Sequence, residues 1–361
     1  MTKILAFHLP QFHSFPENDE WWGKGFTEWV NVKKSVPQFK GHIQPNTPLN
    51  NYYYNLLDKE TRKWQAEKAK EYGIDGFCYY HYWFDGKLLM EKPLECLLKE
   101  KDIDFPFCFC WANEPWTRAW DGRTSTILMP QRYGEEKDWK LHFDYLLDFF
   151  MDSRYIKIDN KPMLVLYRTN NIENCDAMIS FWEEECIKNG FSGIHVVEEL
   201  NSFQDKPVCK NSRAVVEFEP LFQLRRKKTI ADDIIKIQQR LKGFLLHPSK
   251  SMNFKVFNYD KIWKKILLQR VNTNKDVYYG GFVNWDNTPR KGNRGMVALG
   301  VSPQKFENYM CALLKKANDE NAEYIFLNAW NEWAEGAFLE PDTINRYSYL
   351  EAVKNAKNRT K

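Results

Sequence analysis

The stretch Ser302–Gly336, SPQKFENYMCALLKKANDENAEYIFLNAWNEWAEG, contains one complete helix-then-strand unit of this chain. Pro303 stands at the first-turn position that proline favours in a helix. The run Tyr324–Trp330 is almost wholly apolar, which predicts a strand that is buried on both faces. Two acids, Glu332 and Glu335, follow within five residues. The unit therefore predicts an α/β fold that places carboxyl groups at the end of a buried strand.

Seven more strand-like runs precede this one, and helix-like segments separate them. One such segment begins after an N-cap-type Asp58 and ends at Gly73. Eight strands that alternate with helices over 361 residues predict a (β/α)8 TIM barrel. An open doubly wound sheet would carry a glycine-rich phosphate turn after an early strand, and the chain has none. The runs are Ile4–Leu9, Gly76–Tyr82, Phe105–Ala112, Met163–Tyr167, His195–Leu200, Ala214–Phe218, Val277–Trp285 and Tyr324–Trp330.

Two connections are too long for simple barrel loops. We expect residues 1–361 to form a single (β/α)8 barrel domain with long strand-end loops, which are insertions at about 10–58 and 220–260. The second insertion holds a basic run, residues 225–228. A run of this kind indicates a solvated face or, alternatively, a peripheral contact with an anionic polymer or a membrane-linked sugar phosphate.

The bulk composition narrows the class of protein. Net charge is only +4, which carries no signature of nucleic-acid binding. No apolar run approaches the ~20 residues of a membrane span, and the N-terminus lacks a signal-peptide pattern, so the expected location is the cytoplasm. The eight cysteines have no metal-ligand spacing and predict free thiols in a reducing compartment. No metal or other cofactor is expected, because the chain has no HExxH motif, no clustered metal-ligand spacing and no P-loop. The absence of a GxSxG elbow disfavours a serine nucleophile.

Aromatic residues make up 16% of the chain, and many of them stand beside polar residues at the predicted strand ends. Chemistry in such barrels gathers at the carboxyl ends of the strands. Carboxylates and amides bind hydroxyls, and ring faces stack on sugar C–H groups, although a lone tryptophan there is more often packing. A core position is an equal alternative for His81. The candidate sugar-binding residues are His8, Gln11, Tyr80, His81, Tyr82, Trp111, Asn113, Glu114, Trp116, Trp120, Glu219, Asn284, Trp285, Asp286, Trp330, Asn331 and Trp333.

The acids after the last strand, Glu332 and Glu335, are the candidate catalytic pair. Residues three apart on an extended strand face opposite ways, so the two can cooperate only if the chain turns after Trp330. A helical turn would bring them side by side, and Gly336 allows it to close. Glycoside cleavage requires two carboxyl groups in unlike electrostatic settings. The alternative for Glu332 is a surface loop acid, or a structural partner for Arg290 or Arg118.

Long segments of the chain resemble a known family. His8–Val32, "GIDGFCYYHYWFDGK", "FCWANEPWTRAWDG" and "NAWNEWAEGAFLEPD" are similar to the WbsX-type proteins of bacterial surface-polysaccharide gene clusters, which are labelled glycosyltransferases. This resemblance covers nearly the whole chain. A weaker resemblance, centred on the barrel and "WNEWAEG", links the chain to family 99 glycoside hydrolases. Those enzymes are endo-acting α-mannosidases and α-mannanases with (β/α)8 barrels.

The family 99 resemblance implies a retaining, substrate-assisted mechanism on a mannoside-like substrate. Carried onto matching positions, it makes Glu332 the base on the sugar 2-hydroxyl and Glu335 the general acid/base. The chain departs from the family at Ala334, where histidine often stands, and it lacks the usual secretory signal. The second departure favours work on precursors inside the cell.

Three hypotheses follow for an oligosaccharide or polysaccharide partner. The first is a glycosidase or transglycosidase of surface-polysaccharide metabolism. The second is a nucleotide-sugar-dependent glycosyltransferase of O-antigen or capsule synthesis, against which stands the lack of a phosphate-binding glycine loop or a DxD metal site. The third is a non-catalytic glycan-binding barrel, for which only the aromatic residues would matter.

Overall fold

A computed structural model describes residues 1–118, 126–225 and 255–361. Eight parallel strands form a closed barrel in which each strand pairs with its neighbours in chain order and the last pairs with the first. The prediction of a (β/α)8 barrel is confirmed. The strands are β1 (Lys3–His8), β2 (Gly76–Phe84), β3 (Phe107–Trp111), β4 (Lys161–Leu166), β5 (His195–Leu200), β6 (Ala214–Glu217), β7 (Asp276–Phe282) and β8 (Tyr324–Asn328).

Within the described ranges, seven helices form the outer layer. Residues 201–213, between β5 and β6, contain no helix, so these two strands are joined by a loop where the alternating pattern would place a helix. The predicted N-cap of the first helix is present, because the Asp58 side chain accepts a hydrogen bond from the Glu60 amide. The helices are α1 (Lys59–Glu71), α2 (Lys92–Lys99), α3 (Glu136–Phe150), α4 (Cys175–Lys188), α5 (Tyr259–Leu268), α6 (Pro303–Asp319) and α7 (Ser348–Arg359).

Shorter elements decorate the strand ends. The loop after β1 carries the helices Pro16–Trp22 and Glu28–Lys33 and a 3₁₀ turn, Leu49–Asn51. The insertion predicted at 220–260 is described only at its edges, where Leu221–Arg225 is helical, and the single-domain organisation stays a prediction. Small strand pairs join Lys87–Leu89 to β2, Lys157–Ile158 to β4, Trp116–Thr117 to Ile127–Met129, and Lys255–Asn258 to Met296–Leu299.

The barrel interior and the helix layer receive alternate side chains from each strand. Phe7 of β1 faces the interior, where its ring lies 5.7 Å from Tyr80 of β2 and 5.2 Å from Phe218, which follows β6. His81, the next residue of β2, faces outward and stacks on Phe109. This alternation decides which strand-end residues can reach the mouth of the barrel.

Close approach of two strands explains a glycine in β7. A Cβ added at Gly280 would overlap the backbone oxygen of Glu217, the last residue of β6. No side chain fits in that space, so the sequence needs glycine there for the barrel to close.

The cysteine prediction is wrong for two residues. A disulfide joins Cys175, the first residue of α4, to Cys209 in the connection before β6. The two cysteines are 34 residues apart in the sequence, and their spacing did not indicate that they form a disulfide. The other six cysteines are free.

The outer surface bears on the membrane prediction. Among the residues that the structure describes, none of the helices combines the length and apolar character that a membrane crossing demands. Arg225 is exposed and donates to the Ser202 carbonyl oxygen. The remaining residues of the basic stretch 225–228 lie outside the described residues.

Candidate active site

The chain turns directly after β8, as cooperation between the two acids requires. Glu332 ends a two-residue strand, Asn331–Glu332, and a 3₁₀ turn then runs over Trp333–Glu335. Gly336 closes the turn in the left-handed conformation, with φ of +65°. We call residues 331–336 the acid turn. It brings the side chains of Glu332 and Glu335 to the same partner.

That partner is Arg290, which follows β7. Its Nη2 donates to Glu332 Oε2 at 2.9 Å, and its Nη1 donates to Glu335 Oε1 at 2.6 Å. The third edge of the guanidinium, Nε, donates to Glu28 Oε1 at 2.7 Å. One cation from the seventh strand-end loop thus holds three carboxyl groups, one from the first loop and two from the eighth. Both acids and their proposed structural partner therefore belong to one cluster.

Burial differs between the two acids. The Glu332 side chain is 7% exposed, whereas the Glu335 side chain is 21% exposed. Burial raises the pKa of Glu332 to about 8, against the lowering effect of Arg290 and with further raising by Glu335 and Glu28. A carboxyl group at Glu332 consequently has a high affinity for a proton.

Asp286 supports the acid turn from the loop after β7. Its backbone amide donates to the Glu335 carbonyl oxygen at 2.6 Å. Although burial acts to raise the pKa of Asp286, hydrogen bonds from His42, Thr288 and Gln44 hold it below its usual range. Asp286 is therefore occupied by protein partners and acts on the turn rather than on a ligand.

A further carboxyl group, Glu340, lies behind the acid turn. Its oxygens accept hydrogen bonds from Trp333 Nε1 at 2.6 Å, Tyr54 Oη at 2.8 Å and Gln65 Nε2 at 2.7 Å. Burial raises the pKa of Glu340 to about 7. These neutral partners indicate that Glu340 supports the acid turn and takes no part in an ion pair with them.

Tyrosines and a further glutamate lie below the acid pair, inside the barrel. Burial raises the pKa of Tyr80, and the charges of Glu199 and Glu332 raise it further. Tyr82 likewise has its pKa raised by burial and then by Glu332. These couplings put Tyr80 and Tyr82 within electrostatic range of the acid turn, where both were predicted to lie.

Glu114 lies on the rim of the same mouth. Arg168 Nη1 donates to Glu114 Oε2 at 3.1 Å. Burial raises the pKa of Glu114, and the charge of Glu335 adds to this effect. The side chains of Glu114 and Arg168 are 27% and 20% exposed, so the cleft opens to solvent at this point.

An aromatic wall extends from the mouth toward the first loop. The ring of Trp116 lies 5.7 Å from Tyr82, 5.5 Å from Trp21 and 6.5 Å from Phe15. Trp116 is therefore the predicted tryptophan that the structure brings to the cleft. Trp120 lies outside the described residues.

Three predicted sugar ligands face the helices instead of the mouth. His8 contacts Gln65 of α1 at 3.1 Å, and burial lowers its pKa to about 3. His81 contacts His142 of α3 at 2.8 Å, which is the core alternative stated for it. Trp111 packs on the same His142. Each occupies the outward position of its strand, so the prediction that these residues bind sugar is not supported.

The remaining candidates are buried among protein partners. Asn113 binds the backbone of Arg168, and Asn331 binds the backbone of Leu9 on both sides of its amide. Asn284 is half-buried and accepts from the Trp285 amide. The side chains of four further candidates are buried in the core, namely Trp285, Trp330, Trp333 and Glu219. Gln11 is buried in the first loop, where its backbone carbonyl oxygen accepts a hydrogen bond from the Glu28 amide.

Sequence reasoning missed several residues of the site. Glu28, in the first loop, gave no signal, because its contact with Arg290 spans 262 positions. Tyr167, Arg168 and Glu199 stand at the ends of β4 and β5, the two strand ends for which the sequence pattern suggested no candidate. Extending the strand-end rule to all eight strands would have found those three.

No group of three or more histidine, cysteine, aspartate or glutamate side chains suited to a metal ion occurs among residues 1–118, 126–225 and 255–361. The cluster at Arg290 is instead an ion-pair network. It can donate and accept protons through Glu332 and Glu335, beside a cleft of aromatic rings and hydroxyls.

Comparisons with known proteins agree with this architecture. The family model described as "Glycosyltransferase WbsX" matches residues 4–353. Two WxcX proteins of Xanthomonas campestris, described as uncharacterized, are 36% and 35% identical to the chain over 99% of its length. The chain covers 50% of each, so it spans about half the length of the curated relatives it matches.

Solved structures resemble the fold. The GH99 endo-α-mannosidase of Bacteroides thetaiotaomicron, in complex with bis-tris propane, superposes with a TM-score of 0.57 over 100% of this chain and 98% of its own, at 12% identity. A structure described as a "Glycoside hydrolase-like protein" has a TM-score of 0.59 at 12% identity, over 98% of this chain and 93% of its own. At this identity the likeness supports the barrel fold alone.

Proposed function

We propose, because this chain belongs to the WbsX glycosyltransferase family, that it breaks or transfers glycosidic bonds in the metabolism of a bacterial surface polysaccharide. The observation that carries the proposal is the convergence of Glu332 and Glu335 on Arg290 beside an aromatic cleft. A mannoside-like substrate is the first candidate, following the resemblance to family 99. The cytoplasm remains the proposed location.

The chemistry assigns one role to each acid. Glu332 accepts the proton of the sugar 2-hydroxyl. The 2-oxygen of the sugar then attacks the anomeric carbon as the glycosidic bond breaks. Glu335 donates its proton to the departing oxygen. Glu335 then takes a proton from the incoming water or sugar hydroxyl, which opens the 1,2-anhydro sugar, and Glu332 returns its proton to the 2-oxygen. The anomeric configuration is retained after these two inversions.

The electrostatics of Glu332 support its role as a base. A general base is most effective when its pKa lies near the working pH, since it then combines proton affinity with a usable ionised fraction. The pKa of Glu332, raised to about 8, meets that condition. The greater exposure of Glu335 suits a group that must meet both the leaving oxygen and the incoming acceptor.

Arg290 acts as a positioning residue in this scheme. Its planar guanidinium fixes the spacing of the two carboxyl groups through separate nitrogens. It also limits how far burial can raise the pKa of Glu332. A lysine could hold only one of the carboxyl groups with the same geometry.

One observation favours a second candidate, a nucleotide-sugar-dependent glycosyltransferase, which is the description of the matching family model. A non-catalytic glycan-binding barrel is the third. The three differ in their need for the acid pair, for a nucleotide-sugar donor and for a divalent ion.

The test uses glycosides whose leaving groups differ in their need for a proton. Glu335→Gln is expected to abolish cleavage of alkyl α-mannosides, yet to keep the first step with α-mannosyl fluoride, whose leaving group needs no acid. Glu332→Gln should lose both. Glu136→Gln, an exposed substitution in the first turn of α3, serves as the control for folding.

Other results would redirect the proposal. Full turnover in Glu335→Gln on the alkyl glycosides would reject the assigned roles. Turnover that depends on a nucleotide-sugar and a divalent ion would support the second candidate. Binding of glycans by both variants and the wild type without turnover of any donor would support the third.

A further inference from the structure

A cavity of about 550 Å³ lies on the opposite side of the acid turn from Arg290. Trp333 stands between the two acids in sequence, but its indole points away from them, stacks on Phe338 at 3.8 Å and donates to Glu340. Trp333 and Glu340 form part of the cavity lining. The acid turn thus has two faces, one toward Arg290 and one toward this cavity.

The wall of the cavity is preformed. The segment 48–54 from the first loop lies against the segment 340–347 after the acid turn, and the Leu49 amide donates to the Pro341 carbonyl oxygen at 2.9 Å. Tyr52 is anchored to α1 by a hydrogen bond of 2.7 Å between its hydroxyl and Thr61 Oγ1. A ligand would therefore meet an ordered surface rather than an open loop.

Two aromatic rings meet at a corner of the cavity. Tyr52 is 39% exposed, and its ring lies 5.6 Å from the half-buried ring of Trp64 at an interplanar angle of 87°. One ring can lie under the C–H face of a pyranose while the other meets its edge.

Polar groups complete the lining. Glu60, Lys63 and Glu67 of α1 stand around the aromatic corner, and the Glu340 carboxyl group lies at the buried end. Carboxylates accept and an ammonium donates hydrogen bonds to sugar hydroxyls. The acids outnumber the lysine, so the lining favours a neutral ligand over a phosphate or an acidic sugar.

We propose that this cavity is a second carbohydrate-binding site, which holds a neutral pyranose residue against Tyr52 and Trp64. The volume lies within the range of ligand-sized pockets. The site goes beyond the proposed function, since it requires no catalysis at the acid pair. The chain would then bind one glycan at two sites. Two linked sites raise the overall affinity even when the contacts at the reacting centre stay the same.

The experiment follows Trp64 directly. The chain, labelled with fluorotryptophan at its 14 tryptophans, is titrated with methyl α-mannoside, α-glucoside and α-galactoside, and separately with glucuronate and inorganic phosphate. The Trp64 fluorine signal is assigned by its loss in Trp64→Phe. We expect a saturable shift of this signal with at least one neutral glycoside. Tyr52→Ala should weaken that binding by roughly tenfold.

Controls separate this inference from the proposed function. Leu141→Ala, an exposed substitution on α3, should leave the titration unchanged. Glu335→Gln should abolish turnover and keep the Trp64 shift, so loss of activity alone does not affect the inference. A Trp64 signal that no neutral glycoside moves, that only the anions move, or that responds equally in Tyr52→Ala overturns it.

Discussion

Arg290 donates a hydrogen bond of 2.9 Å to Glu332, and both side chains are buried. The same guanidinium reaches Glu335 and Glu28. A single positive charge therefore faces three carboxyl groups in a medium of low dielectric. Retention of a proton within the cluster is favoured under these conditions, and the raised pKa of Glu332 expresses that preference.

Loss of the arginine should harm both stability and activity. In Arg290→Met the three carboxyl groups lose their shared cation, and breaking a buried ion pair costs about 3 kcal/mol of unfolding free energy. Turnover should fall as well, because nothing then fixes the spacing of Glu332 and Glu335. Glu28→Gln removes one carboxyl group, leaves the contacts of Arg290 with Glu332 and Glu335 in place and should cost less. Urea unfolding of the three proteins checks this, and equal midpoints would contradict it.

The pH dependence of kcat/KM should reveal the role of Glu332. A base must be ionised, so the part of the pH profile that Glu332 governs is expected to rise with pH through about pH 8, where the Glu332 carboxyl group loses its proton. A rate that instead falls as pH increases through this range would make Glu332 the acid. Because Arg290 lowers the pKa of Glu332, Arg290→Gln should move the rise to higher pH in any activity that remains.

Gly336 should tolerate substitution poorly for two separate reasons. Its φ is +65°, and an added Cβ would lie 2.9 Å from the backbone nitrogen of Asp286. Gly86 offers a matched control, since its φ is +87° but a Cβ added there would meet nothing within 4 Å. Gly86→Ala should therefore cost about 1 kcal/mol from backbone strain alone.

We expect Gly336→Ala to lower the melting temperature further than Gly86→Ala and to reduce kcat. The reason is that the clash with Asp286 displaces the turn that carries Glu335. Calorimetry and turnover on the same preparations provide the comparison. Equal losses in the two variants would mean that the contact with Asp286 has no energetic weight.

Glu340 should make stability fall as pH rises. Burial raises its pKa from 4.5 to about 7, so the folded state holds a proton that the unfolded state releases between these values. The stabilisation is complete below pH 4.5 and is lost as pH increases to about 7, by at most about 3 kcal/mol. Glu340→Gln cannot ionise and should show a flatter curve of unfolding free energy against pH in this window.

Glu332→Gln supplies the comparison for that measurement. In this variant the curve of unfolding free energy against pH should be flatter up to about pH 8, because the pKa of Glu332 is higher than that of Glu340. Unfolding by urea at a series of pH values measures both curves. A slope in Glu340→Gln that matches the wild type would show that this carboxyl group does not titrate as burial predicts.

The strand-end residues were predicted as one set, and the structure divides that set by the direction in which each side chain faces. Tyr80 and Tyr82 face the mouth, whereas His81 between them faces α3. The sequence shows where β2 ends, but both faces of this strand are apolar or aromatic, so its pattern does not reveal which face is inward. The same ambiguity misplaced His8 and Trp111.

Long-range contacts explain the residues that sequence reasoning overlooked. Arg290 was considered only as an alternative structural partner, yet it is the centre of the site. Glu28 meets it across 262 positions, and no local pattern encodes that contact. The cavity behind the acid turn combines segments near residues 50 and 340 in the same way.

The sequence by itself determined the barrel and the resemblance to WbsX-type proteins that the family match confirms, and it showed that the two acids could cooperate only if the chain turned after the last strand. These depend on local order: apolar runs, helix caps, and acids three residues apart before a glycine. Only the tertiary structure decided that Glu332 and Glu335 share Arg290, that Glu332 is the more deeply buried, and which aromatic rings line the cleft. Burial and charge coupling depend on which distant segments pack together, and closure of the barrel establishes that arrangement.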